Sequence, residues 1–132
     1  MEVDEKLLRI ILTHLGFIKA YEERSKPLIN SLITHHVIDD ILERSTLIVE
    51  MLKIEEYFVS TFLQDTNYSL QNDRAKHLLS HLLLTMKSSL EDKKKSFREI
   101  LTNFKLRFME QNNLELISQI GNIEAKIPEN LH

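Results

Sequence analysis

The chain has 132 residues, enough for one domain with an adequate core, and carries a net charge of −3 with 42% hydrophobic residues. It contains no Cys, which excludes disulfides and thiolate metal sites, gives no sign of an oxidising compartment, and makes a cytoplasmic location the expectation. Two Gly and two Pro are too few to punctuate a strand-and-turn architecture, so the expected fold class is all-α: a globular multi-helix bundle, then a long helix and a C-terminal helical hairpin.

The opening Met1-Glu2-Val3-Asp4-Glu5-Lys6 is acidic where an export signal is basic, and Arg9 and His14 break the apolar run behind it. No stretch reaches the ~20 uncharged apolar residues of a membrane span, so no membrane partner is expected. Asp4 can cap a first helix in which Leu7, Leu8, Ile11, Leu12 and Leu15 recur at helical spacing. Gly16 then predicts a turn or kink, with Phe17, Ile18 and Tyr21 starting a second short apolar stripe.

Ser25 followed by Pro27 predicts a new helix start, because Pro is tolerated where the amide has no intrahelical partner. Leu28, Ile29, Leu32 and Ile33 line that helix. After His35-His36 come Val37, Ile38, Ile41 and Leu42, on the same helix or on another. Ser45-Thr46 can cap a central helix through Ile48, Val49, Leu52, Tyr57, Phe58, Val59 and Phe62, apolar around most of its circumference. Residues 65–72 read as a polar loop.

From Asp73 to about Gln111 neither Gly nor Pro interrupts the helical pattern. Leu79, Leu83, Met86 and Leu90 follow 4-3-4 spacing, Lys93-Lys94-Lys95 breaks the seam, and Phe97, Leu101, Phe104 and Phe108 restart it. Ser88 and Glu91 fit a capping box, which allows a bend there. Asn112-Asn113 predicts a tight turn, since Asn tolerates the left-handed conformation at helix ends, and a last helix carries Leu116, Ile117, Ile120 and Ile123 as far as Pro128. This αα-hairpin is slender and should project from the rest or lean on it.

Charge is uneven: residues 1–72 carry 12 acids against 7 bases, and residues 73–132 carry 8 against 10. Between Lys87 and Arg107 seven bases face three acids. This reads as a solvated helix face, and direct nucleic-acid binding is not expected of it.

Little in the sequence carries chemistry. His77 and His81 share a helix face as two metal ligands would, yet no acid lies between them in the manner of H-E-x-x-H and no third ligand is evident; no metal and no cofactor are expected. Arg74 and His81 match the spacing found in helical ribonucleases of the HEPN class, which keeps such a ribonuclease or toxin as the rival reading. The acid pairs Asp39-Asp40 and Glu55-Glu56 read as solvated, because neighbours on a helix lie about 100° apart. The concentration of Phe97, Phe104, Phe108 and Met109 on a thin hairpin points instead to a partner-binding surface.

The order of elements resembles the C-terminal, helicase-binding domain of bacterial DnaG-type DNA primases, over essentially the whole chain. That family opens with a Glu and a Leu-rich helix ending in His, as Glu5-Lys6-Leu7-Leu8-Arg9-Ile10-Ile11-Leu12-Thr13-His14 does here. Several short helices then lead to a long helix and a helical hairpin. The resemblance implies a globular subdomain over residues 3–86, a hairpin subdomain over 87–127 and a tail over 128–132. It implies a non-catalytic fragment of a nucleotidyltransferase, a monomer that docks on the N-terminal collar of a hexameric DnaB-type replicative helicase and brings primer synthesis to the fork. The contact residues expected are Phe104, Arg107, Phe108, Met109, Asn113, Leu114 and Ile117, with Lys105 and Glu110 at the rim. Changing Phe108 or Leu114 to Asp should then spare the globular part and abolish binding. The helicase's own N-terminal domain shares that fold within the family and is a second binding-module reading.

Overall fold

The computed structural model describes residues 2–34, 37–69 and 73–129, with side chains described at all of these except 2–4, 7, 8, 10, 11, 14, 15, 18, 21, 22, 62–69 and 75. Of the expected stripe, Leu7, Leu8, Ile11 and Leu15 therefore lie outside the described side chains, as do Ile18, Tyr21 and Phe62, while Leu12 is exposed. His35-His36, residues 70–72 and residues 130–132 lie outside the described residues. The fold is all-α, with no strand among the described residues: α1 (Glu2–Ser31), a 3-10 turn (Leu32–Thr34), α2 (Ile38–Ser69), α3 (Asp73–Glu110) and α4 (Leu114–Ala125).

Residues 2–31 form one helix where a turn or kink at Gly16 and a new start at Ser25-Pro27 were expected. It starts at Glu2, so Asp4 lies inside it and is not a cap; it passes Gly16 without a break and holds Pro27 in its interior. An interior Pro forfeits one backbone hydrogen bond and costs about 3 kcal/mol. Burial beside it offsets that cost: Ile29 and Leu32 are buried, Leu28 is packed against them, and each fully buried aliphatic side chain contributes about 1.5–3 kcal/mol.

The break comes after Ser31. Its Oγ donates to the Leu28 carbonyl at 2.6 Å and accepts from Arg44 Nη1 at 3.0 Å, which ties the end of α1 to α2. The stretches 28–33 and 37–42 thus lie on different elements. α2 opens with Asp39 and Asp40 in its first turn, where the helix dipole favours acids. Ser45 and Thr46 lie within α2 and do not cap it; Thr46 Oγ1 bonds back to the Leu42 carbonyl at 2.8 Å. α2 also runs through most of the expected polar loop, leaving only residues 70–72 before α3.

α3 is continuous for 38 residues, through Ser88 and Glu91 where a bend was allowed, and spans roughly 57 Å at about 1.5 Å per residue. Consecutive helices pack antiparallel, and α4 also touches α2. The 4-3-4 seam of α3 is buried at all positions but one: Leu79, Leu83, Leu90, Phe97, Leu101, Phe104 and Phe108 are core residues and Met86 is half-buried.

Among the described residues the several short helices implied by the resemblance are not present; α1 and α2, of 30 and 32 residues, take their place. Nor does the hairpin keep a core of its own. Leu90, Phe97, Leu101, Phe104, Phe108, Leu116 and Ile120 belong to the same buried cluster as Ile29, Leu32, Ile41, Ile48 and Leu52, and the expected boundary at 86/87 falls inside α3. The segment after α4 is pinned: Ile127 is buried, Arg98 Nη2 donates to the Pro128 carbonyl at 3.2 Å, and Lys94 Nζ to the Glu129 carbonyl at 3.0 Å.

Candidate interaction surface

The turn between α3 and α4 sets the geometry of the hairpin tip. Asn112 takes φ 55°, the left-handed value expected of it. Its amide bonds to the Met109 carbonyl at 3.0 Å and that of Asn113 to the Phe108 carbonyl at 2.9 Å, the paired closure that satisfies the last carbonyls of a helix. Asn113 then caps α4, its Oδ1 accepting from the Leu116 amide at 3.3 Å. One residue therefore closes α3 and opens α4.

The nine residues expected to meet a partner divide by role. Phe104 and Phe108 are 4% and 3% exposed, stack on each other with centroids 6.3 Å apart, and belong to the core. Ile117 packs partly buried against that core. Lys105 pairs with Glu124 of α4 at 2.6 Å, which fastens the two arms, and Asn113 is committed to its cap. The remaining four, Arg107, Met109, Glu110 and Leu114, face outward, with Met109 56% and Leu114 78% exposed. Arg107 lies over the Phe104 ring, 5.4 Å from its centroid.

Sequence reasoning missed Leu106, 54% exposed. Its position gave it away: two residues past Phe104 on a helix lies opposite the buried seam, on the side shared by Met109 and Glu110. The outward set is thus Leu106, Met109 and Leu114, bordered by Arg107 and Glu110. The buried phenyl rings stack on each other beneath it and do not themselves present contact area. The expectation that Phe108→Asp would leave the fold intact is corrected accordingly, since it would place a charge among core residues.

Away from the tip, Glu55, Lys93 and Lys94, which were read as solvated, are buried, and Glu56 is partly buried. Glu55 of α2 is 2% exposed, and its carboxylate receives Ser25 Oγ–H from α1 at 2.6 Å and the Lys93 ammonium from α3. Lys93 also donates to Ser25 Oγ at 3.0 Å. Next to it the fully buried Lys94 donates to Glu91 Oε1 at 3.0 Å and lies 3.2 Å from Glu56 Oε2, an ion pair without hydrogen-bond geometry. Glu55 and Glu56 can both face α3 because Lys93 and Lys94, also adjacent, meet them one to one.

Lys93 does not break the seam of α3. It falls three residues after Leu90 and four before Phe97, where the period calls for a core residue, and Glu55 supplies the countercharge that allows an ammonium there. A single helix read alone shows the lysine and not its partner, which is why the layer was illegible.

His77, His81 and Arg74 are exposed on α3. Among the described residues no three His, Cys, Asp or Glu side chains are grouped to hold a metal ion, and no helix is long and apolar enough to cross a membrane. No family model, curated protein or solved structure matches this chain.

Proposed function

We propose that this chain is a non-catalytic helical interaction module that docks through the tip of its α3–α4 hairpin, and that its partner is the N-terminal collar of a hexameric replicative helicase, as in the primase domain it resembles. The observation that carries the reading is the exposure of Leu106 and Met109 on α3 and of Leu114 at the start of α4, on either side of a turn that the stacked, buried Phe104 and Phe108 lie behind. An exposed apolar set at the end of a helical hairpin suits packing against the helices of a helical partner. Arg107 and Glu110 at its border supply charges of both signs, which orient a partner more than they bind it. The long helix feeding a terminal hairpin also agrees with the order of elements in that family, while the two long N-terminal helices depart from it.

Modest affinity at one tip suffices for such a role. Several modules on one helicase ring gain by multivalency, and each can still release after its turn. The test is binding of the purified chain to a replicative helicase hexamer from the same organism, followed by light scattering. Monomeric free protein and stoichiometric complex are expected, with Met109→Asp and Leu114→Asp each weakening binding by at least tenfold while helical circular dichroism is unchanged. Absence of any complex would overturn the helicase assignment. RNA cleavage by the wild-type chain that is lost in both Arg74→Ala and His81→Ala would replace it with the ribonuclease reading.

A further inference from the structure

A crevice of about 280 Å³ opens between the second half of α1 and the middle of α3, lined by Lys26, Ile29, Asn30, Ser89, Asp92, Lys93 and Ser96. It lies well away from the hairpin tip and plays no part in the docking argued above. Three features make it a built site rather than a surface dent. First, Lys93 is 7% exposed, and its ammonium spends two of its three N–H groups, on Ser25 Oγ and on Glu55 Oε2; among the described residues the third has no acceptor. A buried ammonium held on two sides by its own protein, on a residue that lines a cavity and with one N–H uncommitted, is a donor already fixed in place.

Second, the crevice carries one uncommitted charge of each sign on opposite walls. Lys26 stands on α1 and Asp92 on α3, and neither has an ion-pair partner among the described residues. The charge of Lys93 is already balanced by Glu55, so the formal charge presented to a guest is one plus and one minus. A simple anion would gain from Lys26 and Lys93 but would be opposed by Asp92. A simple cation would face the reverse. A molecule carrying both groups satisfies all three side chains, with Asn30 and Ser96 supplying neutral donors and acceptors around it.

Third, the size is right for one such molecule. At about 280 Å³ the crevice has room for a small organic molecule on the scale of a free amino acid. Along α1 the crevice continues past Lys26 and Asn30 into a wider, shallower groove lined by Lys19, Glu23 and Pro27, which leaves room for a substituent.

We infer that this crevice binds a small zwitterion of the α-amino acid class, its carboxylate directed to the Lys93 and Lys26 ammonium groups and its ammonium to the Asp92 carboxylate. Because Lys93 joins α1, α2 and α3, occupancy also adds a bond to the layer that holds the three helices together, so a bound amino acid stabilises the fold.

The test uses the whole chain, labelled with ¹⁵N, titrated singly with each standard amino acid and separately with acetate, methylammonium and inorganic phosphate. At least one amino acid should give saturable amide shifts confined to residues 26–30 and 89–96, with a Kd of about 1 mM or tighter, and should raise the thermal midpoint. Acetate and methylammonium, each with half the recognition groups, should bind at least tenfold more weakly. Lys26→Gln and Asp92→Asn are exposed changes that leave the Ser25–Glu55–Lys93 layer in place; each should weaken amino-acid binding about tenfold with the helical spectrum unchanged. No saturable shift with any amino acid overturns the inference. So does phosphate or acetate binding as tightly as the best amino acid, which would mark a plain anion site, or binding that survives both substitutions.

Discussion

Ser45 is fully buried in α2, and its hydroxyl has no hydrogen-bond partner. A hydroxyl taken out of water without a partner costs about 1–3 kcal/mol, so this side chain works against the fold. Ser45→Ala should leave the structure unchanged and raise stability by about 1 kcal/mol, read as a higher midpoint in urea unfolding; a loss of that size would mean that the hydroxyl bonds to something in solution. The residue scale is also where sequence was most deceptive. Ser45 looks like a cap, Gly16 like a hinge and Pro27 like a helix start, and all three lie inside continuous helices. Each is a local preference worth at most a few kcal/mol, and the packing of a long helix face outweighs it. Asn112 and Asn113 behaved as read because no competing packing acts at a turn.

At the scale of the element, the seam of α3 was legible from spacing alone, since 4-3-4 recurrence of large apolar residues leaves few other arrangements. Its polar member was not. Lys93 is intelligible only with Glu55 opposite it, and that pairing depends on how far α2 is shifted along α3, which no single helix records. Breaking one member of a buried pair costs far more than replacing the pair, because the survivor keeps its charge without compensation. Glu55→Leu or Lys93→Met alone should therefore destabilise the protein by about 3–5 kcal/mol. The triple change Ser25→Ala, Glu55→Leu and Lys93→Met should restore most of that loss in the same urea titration. If the triple variant is as unstable as either single one, the layer contributes more than charge balance.

At the scale of the whole molecule, α4 takes over where α1 ends. α1 meets the midpoint of α3 through Ser25 and Lys93, and beyond that point the far half of α3 is covered by α4, with Lys105 bound to Glu124 and Phe97, Leu101, Phe104 and Phe108 buried. The slender hairpin expected from sequence is present, but it leans on α2 and completes the core. Nothing in a linear pattern separates leaning from projecting, because both leave the same residues apolar. Ending the chain after Glu110 should accordingly abolish cooperative unfolding of the whole protein. Circular dichroism and tyrosine fluorescence should trace a single coincident transition in the full chain and no sharp transition in the truncated one. A truncated form that still melts sharply would show that 2–110 is a domain in its own right.

Asn113 belongs to two helices at once, and this fixes the length of the chain at the tip. One added residue there would turn α4 by about 100° about its axis, carry Leu116, Ile120 and Ile123 away from the core and move Leu114 relative to Met109. The tip can change its side chains freely at Leu106, Met109 and Leu114, which have no duty in the fold, but not its residue count. Drift at this end of the molecule is thereby channelled into the chemistry of the surface and kept out of its shape.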